Sequence, residues 1–333
     1  MIDLNNKRIL FFAPNFFGYD KEIRKKLQEY GALVDLYDER PSSGFFVKAI
    51  IRLNKKILSK YINRYFNKII VTNQNKKYDF VFFIKGEVLT PSIIKKIKES
   101  FIGAKFILYL WDSIDNYKSI KETLFLFDKT FTFDLTDSRK IELLIFRPLF
   151  YIDGFKDIGQ SKSQSFVYDL LFIGTVHSDR WNFLKKVREE AKKHNFKVYY
   201  YLYIQSPIIF IFRKIFDKKF RTIPTNDIKF FSIPKSEILS LTKNSKVIVD
   251  IQHPKQTGLT IRTFEVLGAR RKMMTTNPDI KLYDFFNPNN IAILDRDNPH
   301  IESSFWDSEY YDIEEQLYYK YSIEGWLDDI FIF

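Results

Sequence analysis

The chain has 333 residues, 45% of them apolar, which is enough for two ordinary domains with cores of their own and excludes a disordered chain. It contains no cysteine, so disulfides, thiolate metal ligands and a cysteine nucleophile are excluded as well. Lys and Arg number 53 against 41 Asp and Glu, a net charge of +12, and a surface of that sign attracts phosphate on a nucleotide, a nucleic acid or an anionic lipid.

Residues 7–13 (KRILFFA) are a short unbroken apolar run, and 14–18 (PNFFG) a turn. The run has no small-residue cleavage site after it and does not read as a signal peptide. A helix over 21–30 has Ile23 and Leu27 four apart and is closed by Gly31; a strand follows over 32–37. Strand, helix, strand opens a doubly wound α/β domain. Residues 46–62 separate well on a helix. Phe46, Val47, Ile50, Ile51, Leu53, Ile57, Leu58, Tyr61 and Ile62 fall in one half; Lys48, Arg52, Lys55, Lys56 and Lys60 fall in the other. Strands are expected over 78–85, 104–111 and 129–133, with a helix over 91–100 and another starting at Arg139. Strands buried on both faces read as continuous apolar runs, as these do.

Around 154–165 the composition turns polar, with Gly and Ser, and reads as a linker. The pattern then restarts: a strand over 168–173, a loop from Gly174 to Asp179, a helix over 180–194 and a strand over 196–203. Residues 207–221 (PIIFIFRKIFDKKFR) form a second basic amphipathic stretch. Either stretch suits an anionic membrane surface, or packing on a sheet with its Lys face in water. No run approaches the roughly 18 to 20 apolar residues that span a bilayer. The expected organisation is an N-terminal domain over 1–155, a C-terminal domain over 166–312, and a helical segment over 313–333 that packs back on the first domain.

Ligands of open parallel sheets bind beyond the carboxyl ends of strands. After a strand over 247–251, a loop with Gly258 and Leu259 leads into a helix starting near Thr260. Free N–H groups at such a start favour phosphate oxygens, and Arg262 in the first turn adds a cation. Glu265, three residues on, offers two acceptors to a ribose; the alternative is an ordinary surface ion pair with Arg262.

Residues 258–268 (GLTIRTFEVLG) with 273–277 (MMTTN) resemble the donor-site signature of GT-B glycosyltransferases, most closely the spore-maturation-type (CgeB-like) and related surface-polysaccharide enzymes. Residues 169–180 (DLLFIGTVHSDR) resemble the opening of that family's C-terminal domain. The likeness covers 168–277 well; the N-terminal half agrees in layout only. It implies an α/β fold of two Rossmann-like domains facing a cleft and a nucleotide-sugar donor on the C-terminal domain. It also implies an acceptor on the N-terminal domain, a glycan or lipid-linked glycan of bacterial surface polysaccharide synthesis. It further implies that Glu265 holds the donor ribose, that Gly258, Leu259 and Thr260 sit at the diphosphate, that Gly174 is a donor contact, and that Arg262 and Arg180 are phosphate partners. One departure is the basic 269–272 (ARRK), where family members often have small residues or Pro.

Asp112 follows the strand over 104–111 and is a candidate general base; its other reading is a helix cap. His177, on the Gly174 loop, is the second candidate catalytic residue, with a contact to donor phosphate or sugar as its role; its other reading is a satisfied loop histidine. Asn15, Gly18 and Asp115 are candidate acceptor contacts, and Asp134 and Asp137 weaker candidates for a base. Asp295 and Asp297 read as a strand-to-turn boundary sooner than a metal pair. The four His are too scattered for zinc, and there is neither a Walker loop nor G-x-G-x-x-G. No cofactor, metal ion or nucleic-acid partner is expected, and the expected location is the cytoplasm, peripheral at the inner face of the membrane. Two competing readings are a nucleic-acid-binding protein, which the charge and the 18% aromatic content allow, and a non-catalytic scaffold of a polysaccharide assembly complex.

Overall fold

The computed structural model describes residues 2–42, 55–161, 165–176, 179–253 and 257–333. Residues 46–54 of the first amphipathic stretch, and His177, lie outside the described residues. The chain forms two compact units, Met1–Pro148 together with Ile323–Phe333, and Leu149–Ser322.

The first unit opens with β1 (Arg8–Phe12), α1 (Tyr19–Glu29) and β2 (Leu33–Tyr37). It continues with α2 (Ser59–Asn73), β3 (Phe80–Ile84), α3 (Pro91–Ser100), β4 (Lys105–Leu110), β5 (Lys129–Thr132), α4 (Leu135–Lys140) and β6 (Ile145–Phe146). The strands form one parallel sheet in the order β2-β1-β3-β4-β5-β6. Its centre is aromatic. Phe12 stacks on Phe83 with centroids 4.5 Å apart and Phe11 on Phe82 at 5.0 Å, one pair on each face of β1 and β3. Helix α3 starts where Thr90 accepts from the Ile93 N–H and Pro91 fills the first turn.

Arg139 does not start a helix; it lies in the last turn of α4. The start is Asp134, whose carboxylate accepts from the Thr136 and Asp137 N–H groups. Asp137 in turn accepts from the Ile114 N–H at 2.8 Å, so both weaker candidates for a base are engaged with the backbone.

The second unit begins with α5 (Asp153–Gln160) and β7 (Tyr168–Thr175), then α6 (Arg180–Lys193), β8 (Val198–Tyr203), α7 (Pro207–Phe216), α8 (Lys218–Arg221) and β9 (Ile228–Lys229). Then come α9 (Lys235–Lys243), β10 (Ser245–Asp250), α10 (Ile261–Gly268), β11 (Lys272–Thr275), β12 (Ile291–Ile293), α11 (Ser303–Asp307) and α12 (Glu315–Lys320). Its parallel sheet has the order β12-β11-β10-β7-β8-β9.

The expected linker is a helix over most of its length. Phe155 and Ile158 in α5 are buried, and its glycines serve close packing. A Cβ on Gly159 would stand 2.3 Å from the Gly268 carbonyl oxygen, and one on Gly154 2.9 Å from Leu239. These glycines let α5 lie against α10 and α9; the composition signalled close approach, not flexibility.

The last segment divides at residue 322. Helix α12 stays with the second unit, where the Tyr318 hydroxyl donates to the Gly268 carbonyl at 2.5 Å. The final helix, α13 (Ile323–Phe331), belongs to the first unit. Ile323, Trp326, Leu327, Ile330 and Phe331 make one buried face, with Trp326 fully enclosed 4.9 Å from the Tyr109 ring. Lys26 to Glu324 at 3.2 Å and Arg147 to Asp329 at 2.7 Å hold its polar edge.

Candidate functional site

In the second sheet the strand order reverses between β7 and β10. From β7 the chain runs outward through β8 and β9, then returns to build β10, β11 and β12 on the other side. Such a reversal leaves a crevice at the carboxyl ends of the two strands, where the following helices diverge. Here those helices are α6 and α10, and their first turns hold Arg180 and Arg262.

Asp250, the last residue of β10, ties the start of α10 down. It accepts from the Thr260 hydroxyl at 2.8 Å and the Thr263 hydroxyl at 3.0 Å. Thr260 is the N-cap residue, yet its hydroxyl is used on Asp250 and caps no backbone N–H. The donors of the first turn of α10 are thus left uncovered by that side chain. Gly258 and Leu259 are buried just before it, and the Asn277 amide donates to the Thr257 carbonyl at 3.1 Å.

Arg180 spans the crevice. Its guanidinium donates to the Thr175 carbonyl at the end of β7 (3.0 Å) and to the Ile251 carbonyl beyond β10 (2.5 Å). Its Nε is buried with no hydrogen-bond partner among the described residues. Burial lowers the Arg180 pKa; Asp250 and Asp179 oppose that, and Arg296 adds to it. A guanidinium stays charged even so. Arg296, beyond β12, donates to Asp179 (2.9 Å), to the Gln252 carbonyl (2.8 Å) and to Thr276 (3.0 Å). Arg262 pairs with Glu265 at 2.6 Å. This is not the surface pair that the spacing alone allows: the Glu265 side chain is 7% exposed and that of Arg262 17%.

Gly174 lies within β7, opposite Leu202, and not in a loop. A Cβ there would meet the Phe172 ring at 2.8 Å, so packing accounts for the glycine. Asp295 accepts from the Asp297 and Asn298 N–H groups in a turn. Among the described residues no group of three or more His, Asp or Glu is placed to hold a metal ion.

The first sheet reverses between β1 and β3. Asn15 and Gly18 lie in the loop after β1, with Asn15 exposed and Gly18 at φ 80° before α1. Phe16 and Phe17 in that loop are exposed, and Phe16 meets the Trp111 ring at 6.0 Å. Lys85 and Gly86 after β3 both have positive φ, a conformation uncommon for a lysine. Lys85 pairs with Asp112 at 3.1 Å and Glu87 at 3.2 Å, and Arg40 lies 3.8 Å from Glu87. Glu39, fully buried, accepts from the Glu87 N–H at 3.0 Å. Burial pushes the Glu39 carboxyl up to about 8; Lys85 and Arg40 pull against that rise and Glu87 adds to it. Burial also opposes the charge on Lys85, but Asp112 and Glu87 outweigh it, and its pKa is raised. Asp115 is exposed in the short 3-10 turn Ile114–Asn116.

The structure brings Gly258, Leu259, Thr260, Arg262, Glu265 and Arg180 to one crevice, and Asp112 to the carboxyl end of the other sheet. Sequence reasoning missed Asp250, Arg296 and Asn277 in the second unit and Glu39, Arg40, Lys85 and Glu87 in the first. Their common signal is a charged or amide residue within a few positions of the end of an apolar strand.

No family profile and no curated protein matches the chain. Among solved structures it is similar to an alpha-glucosyltransferase in complex with UDP and a 13-mer DNA containing an A:G mismatch: 14% identity, TM-score 0.60, over 97% of this chain and 92% of that one. It is similar to a UDP-forming alpha,alpha-trehalose-phosphate synthase from Burkholderia xenovorans in complex with glucose-6-phosphate, with 9% identity and TM-score 0.59, over 97% and 98%. It is also similar to Anabaena HepE in complex with UDP and glucose, with 10% identity and TM-score 0.55, over 97% and 99%. The chain has the two-domain α/β fold of GT-B glycosyltransferases, with a six-stranded parallel sheet in each unit.

Proposed function

We propose that the protein is a glycosyltransferase that takes a nucleotide-sugar donor on its second unit. The carrying observation is the crevice between β7 and β10, where α10 starts with Arg262 in its first turn and the guanidinium groups of Arg180 and Arg296 sit on the Ile251 and Gln252 carbonyls just beyond β10. Helix N–H groups and arginines complement a diphosphate, and they stabilise it most when the sugar–phosphate bond breaks and negative charge builds on the leaving oxygen. No metal is needed for that neutralisation. Glu265 lies five residues beyond Thr260, about 7.5 Å along the axis, an offset suited to ribose hydroxyls when the diphosphate sits at the helix start. The similar structures that hold UDP support a donor of this class.

The acceptor belongs to the first unit in this reading. An acceptor hydroxyl attacks the anomeric carbon of the donor sugar, its proton passes to a carboxylate, and the nucleotide diphosphate leaves. Asp112 is the proposed proton acceptor, and Lys85 holds its carboxylate in place. Asn15, Gly18 and Asp115 are proposed acceptor contacts, and His177 a proposed contact of the donor sugar. The finer reading is a glycan or lipid-linked glycan acceptor in bacterial surface polysaccharide synthesis at the inner face of the membrane. It rests, with the CgeB-like likeness, on residues 168–277.

A thermal-shift panel of nucleotides and nucleotide sugars tests the proposal. A ligand that binds only the folded state raises the apparent stability by mass action, about 2.7 kcal/mol at a hundred times its Kd. At least one nucleoside diphosphate and its sugar are expected to raise the midpoint by several degrees. If the whole panel leaves it unmoved at millimolar ligand, the proposal fails.

A further inference from the structure

Helix α7 turns its apolar stripe away from the core. Ile208, Ile211, Phe212, Ile215 and Phe216 recur at the spacing of one helical face, and each is between 57% and 78% exposed. The helix is anchored through the opposite face by Phe210, which is buried beside Phe230 with ring centroids 6.0 Å apart. A monomer gains nothing from five large apolar side chains held side by side in water, and a patch of this kind marks an interaction surface.

The charges around the stripe say what covers it. At 100° per residue the five apolar residues occupy an arc of roughly 140°, with Arg213 about 60° beyond one edge and Lys214 about 60° beyond the other. Both reach back over the protein, Arg213 over the Phe220 ring at 5.0 Å and Lys214 over the Phe210 ring at 5.0 Å. Lys218, Lys219 and Arg221 follow on α8 and are exposed. Asp217 is the sole carboxylate among residues 205–226, and its oxygen accepts from the Lys219 N–H at 2.9 Å. An apolar stripe with bases on both flanks and at its trailing end fits a planar surface. The stripe sinks to the acyl boundary while the exposed Lys218, Lys219 and Arg221 meet lipid phosphates, with Arg213 and Lys214 adding positive charge at its flanks.

We propose that α7 and α8 dock the protein on an anionic bilayer through Ile208, Ile211, Phe212, Ile215 and Phe216, flanked by Arg213, Lys214, Lys218, Lys219 and Arg221. The surface would give the inner-face placement its physical basis, but it stands on the geometry of α7 and holds whatever the enzyme transfers. Among the described residues no helix is long and apolar enough to cross a membrane, so the contact is one of lying on the surface.

Co-sedimentation of the full chain with vesicles tests this. One set is pure phosphatidylcholine; the other contains about one-third phosphatidylglycerol. The wild type is expected to bind the anionic vesicles at least tenfold more tightly at low salt, and to be released at high salt. The triple variant I211S/F212S/F216S changes exposed side chains only, so it should fold and lose binding to both sets. K218E/K219E/R221E should lose the preference for the anionic set. Nucleotide binding by both variants, measured separately, should equal wild type, which keeps a failure here distinct from a failure of the proposed sugar transfer. Three results overturn the proposal. One is a wild type that ignores anionic vesicles at low salt. Another is an apolar variant that binds as well as wild type, which moves the contact to another surface. The third is a concentration-dependent dimer that I211S/F212S/F216S abolishes without any lipid binding, which makes a second copy the occupant.

Discussion

The two sheets reverse their strand order in the same way, between β1 and β3 in the first unit and between β7 and β10 in the second, yet the two reversals carry opposite chemistry. Beyond β7 and β10 the prominent groups are cations on backbone carbonyls, beside a helix start whose N-cap side chain caps no backbone N–H. Around the first reversal, beyond β2, β3 and β4, they are carboxylates: Glu39 and Glu87 buried, Asp112 half-buried, with Lys85 and Arg40 among them. Topology supplies a crevice in both cases; the residues at the strand ends decide whether it suits an anion or the handling of protons and hydroxyls.

Asp112→Asn should have the largest effect. If the first reversal handles the proton, this variant keeps wild-type donor affinity and loses about 10²- to 10⁴-fold in kcat, the range for a general base. Single-turnover rates alongside donor titrations check it, and a loss of donor affinity instead would break the division of labour.

At the second reversal, Arg180→Ala should weaken nucleotide diphosphate binding by about 2–3 kcal/mol, the scale of charge-assisted hydrogen bonds. It should also lower the melting midpoint, because Arg180 joins the ends of β7 and β10. Glu265→Ala should weaken nucleotide-sugar binding by about 1.5–3 kcal/mol. Since Glu265 is buried against Arg262, the alanine variant leaves a guanidinium without its partner, and some loss of stability is expected with it. A binding measurement on material shown to be folded separates the two effects.

The last effect is on stability alone and concerns Glu39. Its folded pKa of about 8 lies above the ordinary 4.5, so between those values the folded state holds more protons than the unfolded. Stability from this group is therefore full below about 4.5, falls as pH rises towards 8 and levels off above it. Glu39→Gln keeps the shape without the ionisation. Its midpoint should gain on wild type between pH 5 and pH 8 by several degrees, because a pKa raised that far makes about 3 kcal/mol of pH dependence over the window. A gap that stays constant or closes over that window contradicts the buried, proton-holding Glu39.

Much of this was legible in the sequence because buried parallel strands announce themselves. The runs FVFFI and KFILYL became β3 and β4, and the helix expected over 91–100 is α3. The crevice beyond β7 and β10 showed in the sequence through the start of α10, from Gly258 to Glu265. Long-range pairing was not. Nothing local says that Arg296 reaches Asp179 and Gln252, or that Glu39 accepts from the backbone of Glu87, because these partners lie 117, 44 and 48 positions apart. Gly154 and Gly159 misled for a related reason: a glycine that admits a neighbouring helix and one that loosens a linker look the same until the neighbour is known.

The central claim is that the second reversal, and not the first, holds the nucleotide diphosphate. Calorimetric titration of one nucleoside diphosphate into wild type, Arg180→Ala and Asp112→Asn, each shown to be folded, tests it directly. The account predicts equal affinity for wild type and Asp112→Asn and at least a thirtyfold loss for Arg180→Ala, which is about 2 kcal/mol. Equal affinity in all three proteins, or a loss confined to Asp112→Asn, would contradict it.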